Sequence, residues 1–318
     1  MTVYLAPLEG VTDAVFRRVH RDCFSGVAKY FIPFVSPTQN LAFTARDLSI
    51  LAPENGFGVP QLLCKDAALF LWAAQALGDM GYGEVNLNLG CPSGTVTAKG
   101  KGAGFLAHPD ELDRFFDEVF AKCEGISVKT RLGVHEASEF DKLLEIYNRY
   151  PITELTIHPR VRQDFYKGKV RESDFAAALP RCSMPVCYNG DLIIERDVSA
   201  VSERYPDLPA VMIGRALIAD PSLVMRLTGG KAADAKMLET FHDTLFVRYC
   251  EAFGDSRIAM LRMKEIWFYH LNLFENSEKT GKAIKKAKNA AEFQSAAAAV
   301  FRDCRVRANA MPLWFKPA

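Results

Sequence analysis

No two of the eight cysteines, at 23, 64, 91, 123, 182, 187, 250 and 304, stand as Cys-X-X-Cys. Such scatter fits reduced thiols in a cytoplasmic protein better than a disulfide framework. No apolar run approaches the roughly 20 residues that a membrane span needs, so no membrane partner is expected. The opening MTVYLAPLEG has no basic region and no small-residue cleavage site; it reads as a first strand, not a signal peptide. No Gly-X-Gly-X-X-Gly follows it, which removes the fingerprint of an open dinucleotide-binding sheet. Histidine is scarce, at six residues. Only His158 and Cys91 are placed as soft ligands, whereas a structural zinc takes four, so no metal is expected. Net charge is nearly absent, at +1, but it is unevenly spread. Residues 231–318 carry 15 Lys and Arg against 10 Asp and Glu, a net +5; the rest carries 24 against 28, a net −4. A basic segment on an acidic body is either a solvated helical surface or a module that faces a polyanion.

What is present is alternation. Eight short runs rich in β-branched residues recur: VYLAPL (3–8), KYFIPF (29–34), GVPQLL (58–63), EVNLNL (84–89), ISVKTR (126–131), ELTIHP (154–159), PVCYNG (185–190) and AVMIG (210–214). Amphipathic stretches such as 66–80, 109–123, 138–149 and 192–204 lie between them. Strand and helix in strict alternation predict a parallel sheet, and eight units in about 220 residues fit a closed α/β (β/α)8 TIM barrel. From about 231 the strand signal stops, and 236–253, 257–275, 279–289 and 291–307 read as helices. The expected division is therefore a barrel at 1–232 and an all-helical bundle at 233–318, as a monomer.

Polar residues gather where the strands end: Glu9, Gln61, Asn86 and Asn88, Lys129 and Arg131, His158 and Arg160, Asn189, and Arg215. A barrel enzyme assembles its site at those C-terminal ends. Asn86 and Asn88 share one face of a strand, as do Lys129 and Arg131. An inward lysine is rarely buried without a charged partner, so Lys129 implies something anionic in the mouth. Asn189-Gly190 and Gly214-Arg215 follow the seventh and eighth strands, where such barrels bind phosphate on free backbone N–H groups. The stretch NLNLGCPSGTVTAKGKGAGFL (86–106) puts Cys91 at a Gly-Cys-Pro corner before a glycine-rich loop, which reads as a hinged flap. That loop is not a Walker loop, because Gly102 stands where Ser or Thr is required. On residues alone, the thiol could be a nucleophile with His158 as base, an acid, or inert.

Taken together, APLEGVTD (6–13), QL (61–62), NLNLGCP (86–92), GKGAGFL (100–106), VKTRLG (128–133), HPRVRQDFYKG (158–168), NGD (189–191) and GRA (214–216) resemble the tRNA-dihydrouridine synthases. RMKEIWFYH (262–270) is similar to that family's C-terminal tRNA-binding helices. The resemblance implies an FMN-dependent oxidoreductase driven by NADPH. It would reduce the 5,6 double bond of uridines in the tRNA D-loop, with a hydride to C6 and a proton from Cys91 to C5. It further implies that Pro7, Leu8, Gln61, Lys129, His158, Asn189, Gly190, Gly214 and Arg215 hold FMN. Asn88 and Arg160 would hold the uracil, and Lys264, Lys285 and Lys286 would contact tRNA. The competing readings are an FMN barrel acting on a free pyrimidine, like dihydroorotate dehydrogenase, and a barrel that binds RNA without turnover.

Overall fold

The computed structural model describes residues 1–51 and 57–313. All eight anticipated strands form: β1 Thr2–Leu5, β2 Val27–Val35, β3 Val59–Leu62, β4 Val85–Leu89, β5 Ile126–Arg131, β6 Leu155–His158, β7 Val186–Tyr188 and β8 Ala210–Ile213. They are parallel, run in chain order and close when β1 pairs with β8, from Thr2 opposite Ala210 to Leu5 opposite Ile213. The helices of this part are α1 Ala14–Cys23, α2 Ala45–Leu51, α3 Ala67–Asp79, α4 Gly94–Thr97, α5 Pro109–Phe120, α6 Glu139–Tyr147, α7 Glu172–Ala178, α8 Glu195–Arg204, α9 Arg215–Ala219 and α10 Leu223–Leu227.

Side chains of successive strand residues point to opposite faces, which sorts each strand into two jobs. In β5, Ile126, Val128 and Thr130 are buried, while Ser127, Lys129 and Arg131 alternate with them. In β4, Val85, Leu87 and Leu89 join the large apolar cluster, and Asn86 and Asn88 fall between. A separate small cluster of Tyr4, Ala6, Phe31, Val59, Cys187, Ala210 and Met212 supplies inward-facing residues of other strands. The interior is thus apolar on one arc and polar on the other.

The first strand stops at Leu5, three residues before its expected end. Pro7 has no N–H to give a ladder. The Leu8 N–H goes instead to Thr12 Oγ1 at 2.8 Å, and Leu8 O accepts the Thr12 N–H at 3.0 Å. This turn sets Pro7 and Leu8 across the barrel mouth.

The C-terminal segment is helical as expected: α11 Ala235–Phe253, α12 Ser256–His270, α13 Glu278–Lys286 and α14 Ala290–Asp303. Residues 314–318, the end of that segment, lie outside the described residues. Gly254 ends α11 in the left-handed region, at φ 64°, and Asp255 caps α12, so the Gly-Asp pair makes a tight helical corner. The helix expected over 257–275 ends at His270. There Asn272 Nδ2 donates to the carbonyls of Tyr269 (2.6 Å) and Phe268 (3.1 Å), satisfying groups that a longer helix would have used. The helices do not stand apart from the barrel. Phe241 of α11 packs on Phe16 of α1 and on Phe24 just after it, at ring centroid distances of 6.0 and 5.2 Å. Tyr249 donates to Asp13 Oδ1 at 2.9 Å, and Arg262 bonds the Gly10 carbonyl. One apolar cluster runs from the strands through α1 into α11, α12 and α14.

Candidate active site

The C-terminal ends of the strands surround a cavity of about 400 Å³. Pro7 and Leu8 come to it from β1, Gln61 from β3, Asn88 and Cys91 from β4, and Lys129 from β5. His158 comes from β6, Asn189 and Gly190 from β7, and Gly214 and Arg215 from β8. Gln61, Asn88, Lys129, His158, Asn189 and Arg215 were anticipated from strand ends, Gly190 and Gly214 from the turns after β7 and β8, Cys91 from its Gly-Cys-Pro corner, and Pro7 and Leu8 from the resemblance; the closed barrel brings all of them to one place.

Four residues form a buried chain beneath the cavity. Asn88 Nδ2 donates to Gln61 Oε1 at 2.6 Å, Gln61 Nε2 to Asn86 Oδ1 at 2.7 Å, and Asn86 Nδ2 to Ser127 Oγ at 2.9 Å. Buried amides are costly unless paired, so the chain fixes which way each one points. Gln61 is left with one N–H not used in the chain.

The cysteine corner is tied from three sides. Asn88 Oδ1 accepts from the N–H groups of Gly90 (3.0 Å) and Cys91 (2.9 Å). Arg131 Nε donates to the Gly90 carbonyl at 2.8 Å, and the Cys91 carbonyl accepts from Ala103 N–H at 3.0 Å. Gly102 has φ 56°, and a β-carbon there would lie 2.9 Å from the Cys91 carbonyl oxygen and 3.0 Å from its Cβ. Residues 102–107 form a 3-10 turn that buries Ala103, Phe105 and Leu106. The loop expected to act as a hinged flap is instead a clasp folded onto Cys91, because its glycines serve close packing as well as turning. Burial is the main influence on the Cys91 thiol and raises its pKa; nearby Glu9 adds to this, against a Ser93 N–H, Arg131 and Lys129. The group is a protonated thiol at neutral pH.

The cavity lining carries Lys129, Arg131 and Arg215 against Glu9 and Asp191. Lys129 is pushed down to about 7, by burial first and then by Arg131. Cys187 and Cys91 act in the opposite sense. His158 is held well below its usual value by burial and by the cations Arg131, Lys129, Arg160 and Arg215, so it is neutral. Arg160 Nη1 lies 3.0 Å from His158 Nε2. A guanidinium can only donate, so Nε2 is the acceptor and the ring proton sits on Nδ1.

Arg160 does not line the cavity. It is fully buried, paired with Asp191 and bonded to the carbonyls of Lys167 and Gly168. It was anticipated to hold the uracil; in this structure it supports His158 and the 158–168 loop. Lys264 is likewise committed elsewhere: its Nζ donates to the carbonyls of Ala287 (2.5 Å) and Lys285 (3.3 Å), capping α13. Lys285 and Lys286 are exposed on the last turn of that helix and do not line the cavity.

Some lining residues carried no anticipated binding role: Arg131, Tyr166, Asp191, Phe268 and Tyr269. Arg131 could have been found, since it shares a strand face with Lys129. Tyr166 lies in a loop, and only the fold brings its ring over the Arg131 and Arg215 guanidinium groups, at 5.3 and 5.5 Å. Phe268 and Tyr269 come from α12, and no local signal links a C-terminal helix to the barrel mouth.

The sequence model described as dihydrouridine synthase matches residues 4–309. The chain belongs to this family. Among curated relatives it is 26% identical over 244 residues to tRNA-dihydrouridine synthase B of Pasteurella multocida, covering 74% of this chain and 72% of that one. It is 30% identical over 230 residues to probable tRNA-dihydrouridine synthase 1 of Synechocystis, covering 70% and 63%. Against probable tRNA-dihydrouridine synthase of Staphylococcus aureus it is 29% identical over 231 residues, covering 68% of each. Among solved structures, a morphinone reductase mutant in complex with tetrahydroNAD superposes with a TM-score of 0.51 at 12% identity, over 74% of this chain and 89% of that one. A second morphinone reductase gives 0.50 at 14% identity, over 74% and 87%. At such identity these two show the shared barrel fold. As a member of the dihydrouridine synthase family, the chain is a flavin-dependent oxidoreductase.

The residues present fit a flavin. Lys129 is a buried amine that an anionic ligand would hold in its charged form, His158 offers Nδ1–H, and Gln61 has an N–H outside the amide chain, while Ala6, Pro7 and Leu8 are apolar lining. A planar ring that becomes anionic on reduction needs such a set of donors and one cation.

Proposed function

We propose that this enzyme reduces the C5=C6 bond of uridines in the D-loop of tRNA, with FMN as its flavin and NADPH as reductant. The observation that carries this is the Cys91 corner. A thiol kept protonated by burial is fixed by backbone bonds at the rim of the cavity that also holds Lys129. When bound and reduced, FMN supplies the hydride that arrives at uracil C6. Cys91 Sγ gives its proton to C5, completing the saturated 5,6 bond, and solvent returns a proton to the thiolate. Lys129 offsets negative charge on the ring system, and neutral His158 orients it through Nδ1–H. Asn88 sets the direction of the thiol by fixing the Gly90 and Cys91 N–H groups. Asn189, Gly190, Gly214 and Arg215 surround the cofactor phosphate in this reading.

A uridine inside folded tRNA must leave its stack to reach this cavity, which requires contacts to the flanking RNA. The basic helices of residues 233–318 suit that task, with Lys285 and Lys286 among the phosphate contacts, beside a catalytic barrel at 1–232. We place the enzyme in the cytoplasm as a monomer. The test is direct. The purified chain with FMN and NADPH is incubated with an unmodified tRNA transcript, and fragments are weighed. A gain of about 2 Da on a D-loop uridine, the mass of two hydrogens, is expected. Turnover of free uridine or orotate with tRNA left unchanged would favour the free-pyrimidine reading.

A further inference from the structure

Two aromatic side chains from α12 reach the rim of the cavity, Phe268 and Tyr269. Their rings meet at right angles, with centroids 5.1 Å apart. Tyr269 is half-buried, but Phe268 is 57% exposed. A large apolar side chain held in water beside a binding cavity is more informative than a scattered surface one. The position is rigid. The preceding residue, Trp267, is 1% exposed and donates to His242 Nδ1 at 3.1 Å. Arg262 ties the same helix to the Gly10 carbonyl, one turn of chain from the cavity floor.

Phe268 also continues a stripe. Ile258, Leu261 and Phe268 are spaced by three and seven residues, so they share one face of α12, and all three are exposed. At 1.5 Å per residue the stripe is about 15 Å long, with Phe268 at the cavity. Tyr166, the exposed aromatic among the 158–168 residues that line the same cavity, is differently used. Its ring stacks on His158 and receives the Arg131 and Arg215 guanidinium groups.

A base drawn out of an RNA stack leaves its neighbour with an uncovered face. An aromatic ring at the mouth replaces that lost stacking and is indifferent to sequence, because every base has a π-face. We propose that Phe268 stacks on the nucleobase adjacent to the extruded uridine. α12 then reads a flat base beside the cavity, while the basic helices handle phosphate. This rests on the RNA reading of the preceding section.

The test is a two-way cycle on the full-length flavin-loaded enzyme. One change is Phe268→Ala; the other is a tRNA transcript with an abasic site on one side or the other of the target uridine. Each alone is expected to raise KM about 10- to 100-fold, and the two together to raise it no further on the side that stacks. Phe268→Trp retains the wild-type KM, and Phe268→Leu behaves like the alanine variant; flavin content and circular dichroism report that each is folded. Losses that multiply on both sides, or a leucine variant as good as tryptophan, overturn the proposal. If the unaltered enzyme reduces no transcript, the RNA reading fails and this proposal falls with it. An active enzyme whose losses multiply leaves that reading intact and removes only this one.

Discussion

Cys91 and Lys129 are two ionisable groups at one cavity whose surroundings move both toward their neutral forms. The Cys91 thiol is raised, so the proton-donating form persists through neutral pH. Uridine reduction should therefore stay level to about pH 8.5, the ordinary thiol value, and fall only beyond it. A rate that falls between pH 6 and 7.5 in step with Cys91 alkylation would contradict this. Lys129, at about 7, works the other way. An anionic ligand favours its charged form, so above pH 7 binding must take up a proton. The Kd of the apo-protein for FMN should rise by up to tenfold per pH unit above 7, and Lys129→Met should flatten that slope. Titration calorimetry in buffers of different ionisation enthalpy measures the proton directly. At this scale much was legible beforehand: of the residues named from strand ends, Glu9, Gln61, Asn88, Lys129, Arg131, His158, Asn189 and Arg215 line the cavity, and Asn86 lies in the amide chain behind it. Arg160 was not, because a residue just past a strand end can turn into the cavity or behind it. Asp191, far along the chain, decides which.

The element that matters most is the clasp over the cysteine corner. Gly102 is left-handed, and a methyl group there would press on the Cys91 carbonyl and Cβ. Gly102→Ala should keep the fold and flavin but move the corner. Uridine reduction is expected to drop by about 100-fold, the effect of misplacing a reacting group by around 1 Å, and iodoacetamide should label Cys91 faster. Unchanged labelling and rate would show that the clasp does not position the thiol. The loop's composition was legible, but its architecture was not. Glycine spacing looks the same in a hinge and in a tight double turn, and only the bond from Ala103 to Cys91 distinguishes them.

Across the whole molecule, the barrel and the C-terminal helices share one core. The sequence pattern gave no sign that Phe241 would pack on Phe16 and Phe24, or that Tyr249 would reach Asp13. Such pairings join residues more than two hundred positions apart. Chemical denaturation should therefore give a single transition, followed equally by flavin release and by the fluorescence of Trp267 in a Trp72→Phe, Trp314→Phe background. Two separated transitions would argue for independent folding. Truncation after residue 232 should leave α1 with an uncovered aromatic face and yield aggregated protein.

The central claim is that Cys91 delivers the proton that completes uracil reduction. Its most direct test is stopped-flow reoxidation of the reduced flavin by tRNA, comparing the wild-type chain with Cys91→Ala. The variant is expected to bind FMN and to accept electrons from NADPH, yet to reoxidise with tRNA about 10²- to 10⁴-fold more slowly. Reoxidation at the wild-type rate, with dihydrouridine formed, would contradict the account.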